Sequence, residues 1–137
     1  MTKQAIPRLV PDAREIDLGA DARSPIEVLR SQISYWKEAT NGKVLGQVEG
    51  TTTEKDLFAY WFGFVVPAMN DYRYRLFLVE HGLDFYPAWI SSGRDAADVV
   101  EVQDEEALFA ELGKRFRAEE TLRIVRQLSA LAKESKG

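Results

Sequence analysis

The sequence predicts an α+β fold: an N-terminal helix, a four-stranded antiparallel meander with a candidate fifth strand, and two C-terminal helices packed on the sheet. Three observations carry that prediction. A capped apolar helical period lies between residues 24 and 42, β-branched and aromatic runs separated by turn signals fill the middle, and two amphipathic periods close the chain. No stretch offers the crossover that a parallel sheet requires, so consecutive antiparallel strands closed by helices are the economical arrangement.

The 137 residues suit one domain. We divide them into an irregular N-terminal arm, residues 1–23, and a single α+β domain, residues 24–137. Pro7 and Pro11 interrupt any helix in the arm. Its apolar side chains, Ile6, Leu9, Val10, Ile16 and Leu18, follow no sustained period but could dock on the body.

The domain begins at Ser24-Pro25-Ile26-Glu27. Serine at the N-cap accepts an orphan amide, proline at N1 gives up a hydrogen bond the helix never makes, and Glu27 completes a capping box. Ile26, Leu29, Ile33 and Trp36 then follow three-and-four spacing, and Asn41-Gly42 supplies a left-handed stop, which predicts one helix over 25–40.

From Lys43 the period changes to two. Val44, Gly46, Val48 and Gly50 share one parity of a strand whose glycines leave room for large neighbours or a close backbone. Residues 51–56 are a polar turn, and Leu57 to Val66 reads as a strand apolar on both faces, hence central and covered in part on both. After the Asn70-Asp71 turn, Tyr72 to Glu80 alternates, with Arg73, Arg75, Phe77 and Val79 on one face. His81-Gly82 predicts a tight turn, with Leu83 to Ile90 returning as the hairpin partner; Val99 to Val102 is the candidate fifth strand. Asp104 caps the next helix, and Glu119 to Lys133 forms the last, its acids first and its lysine last as the helix dipole favours.

Composition excludes several chemistries. The chain has no cysteine, which removes disulfides, thiolate metal sites and cysteine nucleophiles and suits a reducing cytoplasm, the predicted location. Its longest apolar run, Leu57 to Met69, is thirteen residues and falls short of the ~20 of a membrane span. The net charge is −4, and residues 54–103 carry all of it, with eight acids against four bases. That balance opposes phosphate-driven nucleic-acid binding. With one histidine and no recognised catalytic or metal spacing, neither a cofactor nor a metal is implied.

The best polar constellation is Asp71, Arg73 and Arg75, followed by His81 and Asp84. Two arginines sharing one strand face, ~7 Å apart, could grip a carboxylate or phosphate, or else pair with acids on neighbouring strands. His81 lies too far along the strand to work with Asp71; Asp84 could orient it, or the pair could be an exposed histidine beside a turn aspartate. The rings at Tyr60, Trp61, Phe62, Phe64, Phe85, Tyr86 and Trp89 read as core.

The segment from Asn70 to Phe77 together with His81 to Pro87, set between the capped helix and the paired helices, resembles a family of small uncharacterised bacterial proteins. The resemblance covers about residues 24–133 and implies one compact domain, with no activity or site residue to transfer. The sequence therefore points to a non-enzymatic protein-interaction module, by analogy an immunity- or antitoxin-like acidic partner. The alternative is a small-molecule or anion binder, or an enzyme, with its site near Arg73 and Arg75. A homodimer through a sheet edge or the last helix is compatible with either.

Overall fold

The computed structural model describes residues 5–17, 23–51, 56–93 and 96–135. Its sheet has five antiparallel strands in chain order: β1 (Leu45–Thr51), β2 (Phe58–Val66), β3 (Tyr72–His81), β4 (Ala88–Ser91) and β5 (Val100–Val102). Among the described residues five α-helical segments accompany them, α1 (Ala13–Ile16), α2 (Pro25–Ser31), α3 (Ile33–Ala39), α4 (Glu105–Phe116) and α5 (Glu119–Ser135), with one 3-10 turn at Pro67–Met69 between β2 and β3. The α+β class and the meander are as the sequence predicts, with the fifth strand formed. No described helix is long and apolar enough to cross a membrane.

Caps explain most helix boundaries. The Ser24 hydroxyl accepts the Glu27 amide at 3.4 Å, and the Asp104 carboxylate accepts the Ala107 amide at 2.8 Å. The Gly42 amide reaches back to the Lys37 carbonyl at 2.8 Å, with Asn41 and Gly42 both left-handed, as the stop signal requires. The predicted single helix over 25–40 is instead two segments that meet at Gln32. There the Ser31 hydroxyl donates to the Val28 carbonyl at 2.5 Å, and the Gln32 amide bonds Leu29 three residues back, which tightens the turn. The arm also departs from expectation: Asp12 caps a single helical turn, α1, yet residues 5–17 are exposed throughout and do not dock on the domain.

All the helices of the domain lie against one face of the sheet. Val28, Leu29, Leu108, Leu112, Ile124 and Leu128 pack there on Phe62, Phe64, Phe77 and Ile90. Phe116 and Trp36 close the ring cluster: Phe116 meets Phe62 at 5.1 Å and Trp36 meets Phe64 at 5.1 Å, both edge-to-face. Each buried ring removes enough apolar surface to contribute ~1.5–3 kcal/mol, and well-oriented ring pairs add ~0.5–1.5 kcal/mol. Gly46 lets α3 approach β1, since a Cβ there would stand 3.2 Å from the Ile33 Cα.

One irregularity decides which side chains face the helices. β2 and β3 pair Phe62 with Phe77 but Gly63 with Arg75, so Leu76 is the extra residue of a β-bulge. Tyr72 and Tyr74 therefore share the helix face with Phe77 and Val79. The expected grouping of Arg73 and Arg75 with Phe77 and Val79 is corrected: the bulge puts the arginines on the opposite face. Gly63 makes the bulge fit, because a Cβ there would lie 2.4 Å from the Tyr74 carbonyl oxygen.

The hairpin after β3 is also looser than predicted. β4 begins only at Ala88, and residues 82–87 form an irregular connection containing a cis Tyr86–Pro87 peptide. Pro87 has no amide to donate, so the ladder starts after it.

Candidate interaction surface

Among the described residues, no helix lies on the second face of the sheet. Its residues follow from the register: Glu49 opposite Trp61, Trp61 opposite Leu78, Gly63 opposite Arg75, Glu80 opposite Trp89, and Trp89 opposite Glu101. Alternation confirms the assignment, since Ala88, Ile90 and Val102 beside them are core residues of the covered face. Trp61 and Trp89, read from the sequence as core, are half-buried on this helix-free face.

The two ends of the face differ. At the β1–β3 end, the Glu49 carboxylate takes Arg73 on one oxygen at 3.1 Å and Arg75 on the other at 3.4 Å. The Arg75 guanidinium lies over the Trp61 ring, 5.2 Å from its centroid. Both arginine side chains remain 61% exposed, so each ion pair contributes little, within ~0–1 kcal/mol. Of the two uses open to this arginine pair, the structure shows pairing with an acid on a neighbouring strand. The depression beside them has a volume of only ≈ 10 Å³.

At the β3–β5 end, Trp89 stands between Glu80 and Glu101. Among the described residues neither glutamate has an ion-pair partner. Between the two ends Leu78 is fully buried without any helix above it. The loop after β4 folds over this part of the face, and a Cβ at Gly93 would lie 4.0 Å from the Trp61 ring.

Asp98 anchors that loop. Its carboxylate accepts the Ser92 amide and hydroxyl, each at 3.0 Å, and faces Arg115 at 3.3 Å. Arg115 in turn reaches the Ile90 and Asp98 carbonyls and pairs with Glu111. The Ser92 amide bond, ahead of the Ser92 hydroxyl and Arg115, holds the Asp98 carboxyl below the usual carboxylate range. One acid of the charge-rich middle segment thus has a structural role.

The remaining residues singled out from sequence do not join this surface. Asp71 is exposed in a left-handed turn at the start of β3. His81 ends the same strand, ~30 Å away by the strand repeat. Contrary to the expected turn position, His81 lies in the sheet and is only 3% exposed. Its Nδ1 faces the Gly82 carbonyl at 2.7 Å, so Asp84, which is exposed, does not orient it. The rings of Phe58, Tyr60 and Phe85 surround it with centroids at 5.4–5.9 Å, and its Nε2 is buried without a partner among the described residues. It fills space as an aromatic residue would. Among the described residues no group of three or more His, Asp or Glu side chains could hold a metal ion.

Comparison of the chain with protein-family models, curated proteins and solved structures finds no match. The surface itself is therefore the ground for a functional reading.

A strand ending at Ile90 was visible in the sequence, but the Glu80–Trp89–Glu101 row was not. It depends on where β4 starts and on β5 pairing with it, and neither register is written in local composition.

Proposed function

We propose that this chain is a protein-binding module that engages a basic partner through the helix-free face of its sheet. One observation carries the reading: an indole, Trp89, lies between two carboxylates that have no cation of their own among the described residues. Tryptophan and arginine dominate binding energy at protein interfaces, and this face presents Trp61, Trp89, Arg73 and Arg75 together. A lysine or arginine laid on the Trp89 ring would gain cation–π attraction and lie near both glutamates. The excess negative charge of residues 54–103 has the right sign to steer such a partner. Small acidic proteins that neutralise basic ones, such as immunity proteins and antitoxins, are the closest analogy in role.

The anion-site alternative would need Glu49 displaced from Arg73 and Arg75, and the face there has almost no concavity to enclose a ligand. The protein-binding reading is tested by affinity capture from extract of the source organism at low and high salt. Wild type is compared with Trp89→Ala/Glu101→Gln and with Arg126→Ala on the exposed side of α5. A stoichiometric basic protein should be recovered by wild type and Arg126→Ala, weakened by salt, and lost by the Trp89 variant. Recovery of the same protein by the Trp89 variant, or of none at any salt, overturns the reading.

A further inference from the structure

On the helical side, away from the surface just described, a groove of ≈ 450 Å³ runs between the α2–α3 pair and α4. Its walls are aromatic and aliphatic: Trp36, Phe109, Leu112 and Phe116. Phe109 on its rim is 48% exposed. Gly113 stands in the interior of α4, where glycine costs ~1 kcal/mol relative to alanine. A Cβ there would come within 3.4 Å of the Arg117 guanidinium, so the missing side chain leaves room for that cation along the groove. Among the described residues Arg117 is the only charged side chain lining the groove, and it has no ion-pair partner there.

The arm has the complementary character. Ile6, Leu9 and Val10 are 88%, 80% and 65% exposed, an unusual concentration of unpacked apolar side chains in one short segment. Asp12, Glu15 and Asp17 outnumber Arg8 and Arg14 in the same segment, which leaves it with a small acidic excess. The arm also enters the domain beside the groove. Arg23 is bonded to Glu105, and its guanidinium lies 6.0 Å from the centroid of the Phe109 ring on the groove's rim.

We propose that the groove receives the arm of a second copy of this chain, in a reciprocal exchange that makes a two-fold symmetric dimer. Within one copy residues 5–17 are all exposed, so that part of the arm does not lie in its own groove. Two copies with their groove rims facing each other exchange both arms at once, and each contact is repeated by symmetry. The apolar residues of the arm cover the aromatic walls, and its acids meet Arg117. Thirteen steps separate Val10 from Arg23, four of them in α1, and their upper reach of roughly 36 Å is ample for crossing between adjoining rims. The dimer leaves both helix-free sheet faces outward and free.

Sedimentation velocity over a wide concentration range tests the assembly on the full chain, with Leu9→Asp/Val10→Asp in the arm and Phe109→Asp on the groove rim. Wild type should dimerise, and each variant should raise the dimer dissociation constant about tenfold or more while the melting of the dilute monomer is unchanged. An equal mixture of the two variants should recover a weaker dimer, because one intact arm still meets one intact groove. The chain has no native cysteine, so a nitroxide on Val10→Cys can be mixed with an isotope-labelled copy that lacks it. Broadening of the Trp36 indole signal in the labelled copy is expected. A monomer at every concentration, a dimer indifferent to both variants, or broadening only when label and isotope share one chain overturns the proposal. So does saturation of the groove by decanoate while the arms of a wild-type dimer stay in place.

Discussion

The covered face of the sheet closes by rings packed on rings, with Phe62, Phe64 and Phe77 held under Trp36 and Phe116. The opposite face buries Leu78, beneath a loop that Asp98 ties down, and the small Ala59. The same strands make both faces, so the contrast comes from what lies over them. Apolar side chains under helices set stability, whereas indoles and carboxylates left uncovered are free to meet another molecule. A sheet with one face solvated is ordinary in antiparallel architecture; two tryptophans on that face are what call for explanation.

Substitutions that separate the faces should fall in a definite order. Phe62→Ala empties a fully buried site on the covered face and should cost ~3–5 kcal/mol by denaturant melting. A loss below 1 kcal/mol would mean the helices do not close that face. Gly63→Ala comes next, at ~2–3 kcal/mol, since the new methyl meets the Tyr74 carbonyl and the bulge must shift. If Gly63→Ala melts like wild type, the bulge is not what divides the faces. Trp89→Ala on the open face should cost at most ~1 kcal/mol while abolishing partner capture. An equal loss of stability in Trp89→Ala and Phe62→Ala would erase the distinction.

Two smaller effects sharpen the comparison. The Asp98 carboxyl is depressed in the folded state, so its contribution is present above the ordinary carboxylate range and is lost as pH falls through the folded value. Asp98→Asn should therefore lower stability at neutral pH and flatten its decline in acid, read from melts across pH. An acid profile identical to wild type would remove Asp98 as the anchor of the loop. His81→Phe replaces an imidazole with an unpartnered buried nitrogen by a ring of similar shape, and should be neutral or raise the melting temperature slightly. A large loss would show that the Nδ1 contact with the Gly82 carbonyl outweighs the space the ring fills.

Much of the fold was legible because it rests on local chemistry. Ser24-Pro25 and Asp104 mark helix starts through hydrogen bonds made within a few residues, Asn41-Gly42 marks a stop, and proline limits strands wherever it falls. The order of elements, the meander and the exclusion of cysteine chemistry needed nothing more. The candidate surface was less legible: Arg73 and Arg75 stood out, but Glu49, twenty-four residues earlier, is what holds Arg73, and only pairing through β2 brings them together.

The tertiary structure alone decided which residues share a face. Side chains alternate with period two, so one extra residue reverses every assignment beyond it. Leu76 is that residue, and Gly63 on the neighbouring strand makes room for it. For the same reason His81, whose neighbours in sequence suggest an exposed turn, is buried among rings brought from β2 and the loop after β3. The sequence by itself determined most of the elements and the order of the domain's strands and helices; the faces, and with them the surface we assign to binding, were decided by the register between strands.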